Sequence, residues 1–299
     1  TDLFCSSQSR RTTVLEFMTT EKEWGKLYFC PTPLGNLQDI TLRTLEVLET
    51  VDFIACEDTR VTLKILNHYH IQKPLFSYHS HNLREVSSRI VNLLKEGKNI
   101  ALVSDAGMPG IQDPGMELIN LLEKEGLSYE VLPGPSALVV AVVYSGFAFS
   151  GFTFLGFLPR KKKERRKILE QFLHLPSTLV IYESPHRVVS TLEEIKEIAG
   201  SERRVVFLRE LTKIHQELQR GKLGEILELL SQRERIKGEV ILVIEGEKKG
   251  KEIPPEAEKL LEVLSQQGLS PQEMLEVTSE VFSVSKNKLK EVWRKGKPS

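Results

Sequence analysis

From Lys26 to Gly246 the chain alternates short β-rich runs with amphipathic helical stretches, and this alternation constrains the fold more than any other feature. "KLYFC" reads as a strand and "TLRTLEVLETV" as a helix, with Leu42, Leu45 and Leu48 expected on its apolar stripe. "DFIAC", "PLFSY", "NIALVS" and "YEVL" are the next strands, and "RVTLKILNHY", "REVSSRIVNLLKEG" and "MELINLLEKEG" the helices between them. The second half continues with strands "FTFLGF", "TLVIYE", "RVVFLR" and "GEVILVIEG", separated by helices "KERRKILEQFLH", "HRVVSTLEEIKEIAG" and "LGEILELLSQ". Such a βαβ series implies an α/β fold whose sheets are mainly parallel and covered on both faces.

A chain of 299 residues has room for two such domains. The division is expected around "PGPSALVVAVVYSGFAFSG", giving an N-terminal α/β domain over 26–140 and a C-terminal one over 141–247. "EKKGKEIPPE" then reads as a charged, prolyl linker, and 248–299 as that linker with a helical extension. Ser270 or Pro271 opens one of its helices and Ser285 caps another. The last, "KNKLKEVWRK", carries Leu289, Val292 and Trp293 among basic residues; it suits either nucleic-acid contact or packing within the protein. Residues 1–25 have no clear periodicity and no apolar stretch of secretory type; they are expected to be a poorly ordered leader, with Met18 a candidate start.

Composition narrows the function classes. With 41 basic and 41 acidic residues there is no global field of the kind that marks a nucleic-acid binder, so local runs must supply any such contact. Cys5, Cys30 and Cys56 lack metal-ligand spacing, and their low, odd count fits a reducing cytoplasm. No apolar run approaches the roughly 18 residues of a membrane span. Neither GxGxxG nor GxxxxGK[ST] follows a strand, which argues against the usual nicotinamide and nucleoside-triphosphate enzymes.

Five polar or Gly/Pro-rich loops follow strands: "PTPLGNLQDIT", "EDTR", "SDAGMPG", "LPGPSA" and "ESPHR". In a parallel sheet they converge on one edge, where open α/β sheets bind ligands. The third loop, within "VSDAGMPGIQDPG", sets Asp105 and Met108 among residues that fix the backbone path. "RKKKERRK", residues 160–167, opens a helix with seven cations at what would be the cleft mouth. Cations there oppose the helix dipole, and a polyanionic substrate would offset that cost. His79 and His81 have no obvious third metal ligand nearby, so no metal is expected. His186 and His215 read either as catalytic or as surface histidines.

Read in order, "PTPLGNLQDITLRTLEVL", "EDTR", "VSDAGMPGIQDPG", "LPGPSA", "FLGFLPRKKKERR", "YESPHR" and "ELTKIHQEL" resemble the branch of the tetrapyrrole methylase, or class III methyltransferase, superfamily that methylates small-subunit ribosomal RNA. The resemblance spans roughly residues 26–246. It implies two α/β domains with S-adenosylmethionine (SAM) in the cleft between them, a cytoplasmic homodimer, and methylation of a cytidine ribose 2′-hydroxyl in the decoding region of 16S rRNA. By motif, Pro31, Pro33, Ser104, Asp105, Met108, Pro133, Gly134, Ser136, Ala137, Tyr182 and Glu183 would hold the cofactor. Glu57, Asp58, Glu183, His186 and Lys213 are the candidates for a base or an assisting cation. Arg60, Arg160, Lys161, Lys162, Lys163, Arg165, Arg166 and Arg187 would meet RNA. The first loop has one glycine where many tetrapyrrole methylases have several, which weakens a phosphate-cradling role. Two other readings remain: a small-molecule methylase acting on a precorrin-type tetrapyrrole, and an RNA-binding assembly factor without turnover.

Overall fold

The computed structural model describes residues 23–79, 81–112, 115–147, 151–247, 253–282, 284 and 286–295. Most of the expected leader, including Met18, and the cap at Ser285 lie outside them.

The first sheet contains β1 (Leu27–Cys30), β2 (Phe53–Cys56), β3 (Leu75–Ser77), β4 (Ile100–Val103) and β5 (Tyr129–Val131), in the order β3-β2-β4-β1-β5. Every pairing in it is parallel. Between the strands run α1 (Leu42–Thr50), α2 (Thr59–His68), α3 (Leu83–Lys95) and α4 (Gly115–Glu125). The pleat sends alternate side chains to opposite faces. Leu27 and Phe29 of β1 therefore meet Ile90 and Leu94 of α3 and Leu118 and Leu122 of α4 on one face. Cys30 joins Ile54, Cys56 and Val103 under Leu48 of α1 and Leu66 of α2 on the other. Burying each such side chain contributes about 1.5–3 kcal/mol.

Leu42 is not on the buried stripe: it is 86% exposed. Thr44 and Leu48 are the buried residues of α1, and at about 100° per residue Leu42 falls on the opposite side of the helix. Thr41 starts this helix by accepting the Thr44 N–H at 3.1 Å.

The second sheet corrects the expectation of a mainly parallel arrangement. β6 (Phe152–Phe157), β7 (Thr178–Glu183), β8 (Arg204–Arg209), β9 (Glu217–Lys222) and β10 (Val240–Ile244) lie in the order β6-β7-β10-β8-β9. β6 and β7 are parallel, but β10 runs antiparallel between β7 and β8, and β9 is antiparallel to β8. β9, "ELQRGK", was not expected as a strand; it is an edge strand with half-exposed polar residues and no apolar alternation to mark it. α6 (Lys162–Phe172), α7 (Val188–Ala199) and α8 (Leu223–Ser231) cover one face.

The other face is covered by α5 (Ala137–Ser145), whose Ala141 packs with Val180, Val206, Leu208 and Val243. The expected division between residues 140 and 141 thus falls inside a helix that packs on the second sheet. Gly146 ends α5 in the left-handed region at φ 61°.

The C-terminal segment forms α9 (Pro255–Gln266), α10 (Pro271–Phe282) and α11 (Lys286–Lys295) around a small core of Ala257, Leu261, Met274, Val284 and Leu289, with Trp293 against it. Ser270 and Glu273 cap α10 reciprocally: the Ser270 N–H donates to the Glu273 carboxylate at 2.9 Å, and the Glu273 N–H to Ser270 Oγ at 3.3 Å. No helix among the described residues is long and apolar enough to cross a membrane.

Candidate active site between the two sheets

Strand register gathers the loops of the first sheet. Cys56 of β2 and Cys30 of β1 both pair with Val103 of β4, so the three chains leave the sheet at one level. Thr32 and Gly107 then exchange backbone hydrogen bonds of 2.9 Å, while Thr32 Oγ1 donates to the Ser104 carbonyl at 2.9 Å. Ser104 Oγ closes the turn by donating to the Gly107 carbonyl at 3.0 Å. Gly107 has φ 82°, and a Cβ there would sit 3.0 Å from a Leu34 methyl. Glycine meets both the backbone angle and the close approach.

This stitched loop fixes Asp105. Its Oδ1 accepts the Asp58 N–H at 3.0 Å, and it lines a cleft of about 440 Å³ between the two sheets. Burial, assisted by the neighbouring Asp58 charge, raises its carboxyl above the ordinary aspartate value, although the Asp58 N–H bond opposes this. Asp58 itself caps α2 and is ion-paired to Arg60 at 2.6 Å, which holds its carboxyl down at about 2. Asp58 is thus engaged with Arg60, and Arg60 with it.

Of the residues expected to hold the cofactor, Ser104, Asp105, Met108, Ser136, Ala137, Tyr182 and Glu183 line the cleft, as does Glu57. Pro31, Pro33, Pro133 and Gly134 are not among the lining residues. Pro31 and Gly134 lie against each other instead; a Cβ on Gly134 would come within 2.5 Å of the Pro31 ring. Leu34, Ile111, Gln112, Phe157 and Gly238 to Ile241 line the cleft without having been expected. The last four precede or begin β10, whose amino end the antiparallel register with β7 brings to this edge: Val240 pairs with Glu183.

On the second-sheet wall, the fully buried Glu183 carboxylate accepts the Ser184 N–H and the Thr191 hydroxyl, each at 2.7 Å, and pairs with Arg187 at 2.9 Å. These bonds occupy its oxygens, so it braces the wall. Burial pushes the Tyr182 hydroxyl up to about 12, and its ring packs edge-on against Phe154 and Phe157. Lys213 does not line the cleft, but pairs at 3.2 Å with Glu239, which does, and at 3.0 Å with Glu210. Burial would lower its ammonium, yet the bonds and charges of Glu210 and Glu239 prevail and raise it, so Lys213 stays a cation. Its loop is tightly wound: Glu210 and Thr212 have φ of 54° and 62°. Thr212 Oγ1 also accepts the Asn36 N–H from the first domain at 3.2 Å.

The other candidates divide. His186 and His215 are exposed at the surface. The His79 and His81 rings lie 5.8 Å apart, and no group of three metal-ligating side chains occurs among the described residues. Arg160, Lys161, Lys162 and Lys163 are exposed, with Lys161 paired to Glu164. Arg165 corrects its expected RNA role: it is only 6% exposed, and its guanidinium turns inward to Glu194. Arg187 likewise points inward to Glu183, and Arg166 is held by Glu170 and Glu197.

The site therefore combines an immobilised, partly desolvated carboxylate, soft apolar walls at Met108, Leu34 and Ile111, and backbone held open by glycine. Residues 26–227 match the family described as tetrapyrrole (corrin/porphyrin) methylases. The chain is 42% identical over 269 residues to the ribosomal RNA small subunit methyltransferase I of Haemophilus influenzae, covering 89% of this chain and 95% of that one. With the protein of the same name from Thermotoga maritima the identity is 47% over 222 residues, covering 74% and 99%. Among solved structures, the methyltransferase CobJ superposes with a TM-score of 0.58 at 18% identity, covering 77% of this chain and 98% of that one. The uroporphyrin-III C-methyl transferase of Thermus thermophilus, complexed with S-adenosyl homocysteine, gives 0.55 at 17%, covering 75% and 98%. Fold and sequence agree: the chain belongs to the tetrapyrrole methylase family and groups within it with the ribosomal RNA small subunit methyltransferase I proteins.

Proposed function

We propose that this protein uses SAM to methylate the 2′-hydroxyl of a cytidine in the decoding region of 16S rRNA, acting in the cytoplasm as a homodimer. The observation that carries the reading is Asp105, a half-buried carboxylate locked by the Asp58 N–H in a cleft of nucleoside-compatible size. It is suited to accept hydrogen bonds from cofactor hydroxyl or amino groups, and its charge favours a neighbouring sulfonium. Met108 and Leu34 supply polarizable and apolar contact. SAM supplies an activated methyl group for in-line displacement, a reaction in which alignment accounts for much of the rate.

The chain's own task is then to hold the ribose hydroxyl and favour its ionisation. Glu57 lies on the cleft wall, where a carboxylate is placed to act as the proton acceptor. Lys213, kept protonated behind Glu239, is the cation that favours developing negative charge at that edge. Arg160 and Lys161 to Lys163 offer phosphate contacts at the rim. The outer face of α5, with Val139 and Val143 exposed at 55% and 76%, is the apolar surface suited to a second copy.

The test uses small ribosomal subunits from cells lacking this methylation, incubated with the protein and isotope-labelled SAM. Nucleoside digestion and mass spectrometry should yield labelled 2′-O-methylcytidine. Absence of label, with SAM binding demonstrated in parallel, would redirect the substrate to a small tetrapyrrole.

A further inference from the structure

The two inward-turned arginines converge on one loop. Arg165 is bound to Glu194 by its Nε at 3.0 Å and by one terminal nitrogen; the other donates to the Arg160 carbonyl at 3.2 Å and the Pro159 carbonyl at 3.4 Å. Arg187, seated on Glu183, donates to the Leu158 carbonyl at 2.9 Å. Three successive carbonyls, 158 to 160, are therefore gripped from beneath by guanidiniums that two buried glutamates hold in place. Directly before them, Phe157 lines the cleft and is 59% exposed; the last of them, Arg160, and the Lys161 to Lys163 that follow are all exposed.

Buried ion pairs are expensive to desolvate and are often no better for stability than apolar replacements. A buried pair, Arg165–Glu194, and a second pair whose glutamate is fully buried and whose arginine is part-buried, both beneath one short surface loop, are therefore better explained by a need for fixed geometry. We propose that Arg165 and Arg187 are positioning residues. They set the course of Leu158 to Arg160 so that the exposed cations form a preorganised phosphate-binding edge at a fixed offset from the cleft. The ligand class is a polyanionic single strand whose phosphates meet Arg160 to Lys163 while its target nucleotide passes Phe157. This inference rests on the rRNA reading above. Preorganisation matters here because lysine and arginine side chains on a loose loop lose more freedom on binding.

The test replaces the Arg165–Glu194 pair by apolar residues of similar reach, R165M/E194M, which removes the grip without leaving a buried charge unpaired. Methylase-deficient small subunits are titrated in the labelled-SAM assay at several salt concentrations, and SAM affinity is measured by calorimetry. The expected result is a KM for subunits raised about tenfold, equivalent to about 1.4 kcal/mol. The salt dependence of binding should become shallower by about one phosphate contact. SAM affinity and kcat at saturating subunits should stay within about twofold.

An unchanged KM and salt slope, with or without a lower melting temperature, would overturn the inference; so would equal losses in SAM and subunit affinity. If the double variant does not fold, R165K serves instead: it keeps a cation but cannot grip Glu194 and the two carbonyls together. It should raise the same KM by a smaller factor, and no rise would overturn the inference. Wild-type protein in the same assay separates the two claims: no labelled RNA from wild type counts against the rRNA reading, whereas labelling with an indifferent variant counts only against the positioning role.

Discussion

The two halves of the cleft are built by different means. In the first sheet every strand is parallel, so the lining residues come from loops at carboxyl ends and are held by backbone bonds such as the Thr32–Gly107 exchange. In the second, β10 runs against its neighbours, and the lining mixes the carboxyl ends of β6 and β7 with the amino end of β10. Charge follows the same division. The first half offers Asp105, fixed by a backbone N–H, and Glu57, whereas the second offers a side-chain network, Glu210–Lys213–Glu239. On the proposed reading, Asp105 in the first half holds the cofactor, while Lys213 in the second assists the reaction.

That division can be broken by substitution. Asp105→Ala should weaken SAM binding about a hundredfold, near the upper range for loss of charge-assisted hydrogen bonds, and calorimetry reads it directly. Lys213→Met should lower kcat about tenfold while leaving SAM affinity within about twofold, as single-turnover kinetics would report. If Lys213→Met weakens SAM as severely as Asp105→Ala, the two walls do not have separate tasks. Glu239→Gln, which loosens Lys213 without removing it, should cost only about threefold in kcat.

Smaller effects sharpen the contrast through stability. Asp105 has a folded-state pKa raised above its unfolded value, so the native state binds more protons in that window and stability falls as pH rises through it. Asp105→Asn removes this penalty and should raise the neutral-pH melting temperature slightly while still weakening SAM. Glu217 in the second sheet behaves in the opposite way. Hydrogen bonds from Arg233, then Arg209, outweigh burial and hold its carboxyl down at about 2. Its contribution is complete above the ordinary glutamate value of 4.5 and is lost as pH falls toward 2. Acid titration of thermal stability should show this loss in the wild type and a flatter response in Glu217→Gln.

The same contrast explains what was legible in the sequence. Alternating apolar runs revealed nine of the ten strands among the described residues, and the rule that ligands gather after strands pointed to the loops that carry Asp105, Met108 and Ser136 to the cleft. That rule presumes parallel strands, so it passed over Gly238 to Ile241, which precede or begin β10. β9 escaped because its residues are polar and lie at an edge. "RKKKERRK" read as one uniform basic run, yet Arg165 faces inward while its neighbours remain exposed. Charge counting cannot see that difference, because it is set by Glu194, a partner from another helix.

The central position of β10 has a consequence for synthesis. Until residues 240–244 have emerged from the ribosome, β6–β7 and β8–β9 are two separate ribbons with no strand between them. The nascent chain can complete its first sheet early, but the second closes only when this late strand inserts. One wall of the cleft is thus finished last, and a chain released before Val240 has half a site and no strand hydrogen-bonded between its two ribbons.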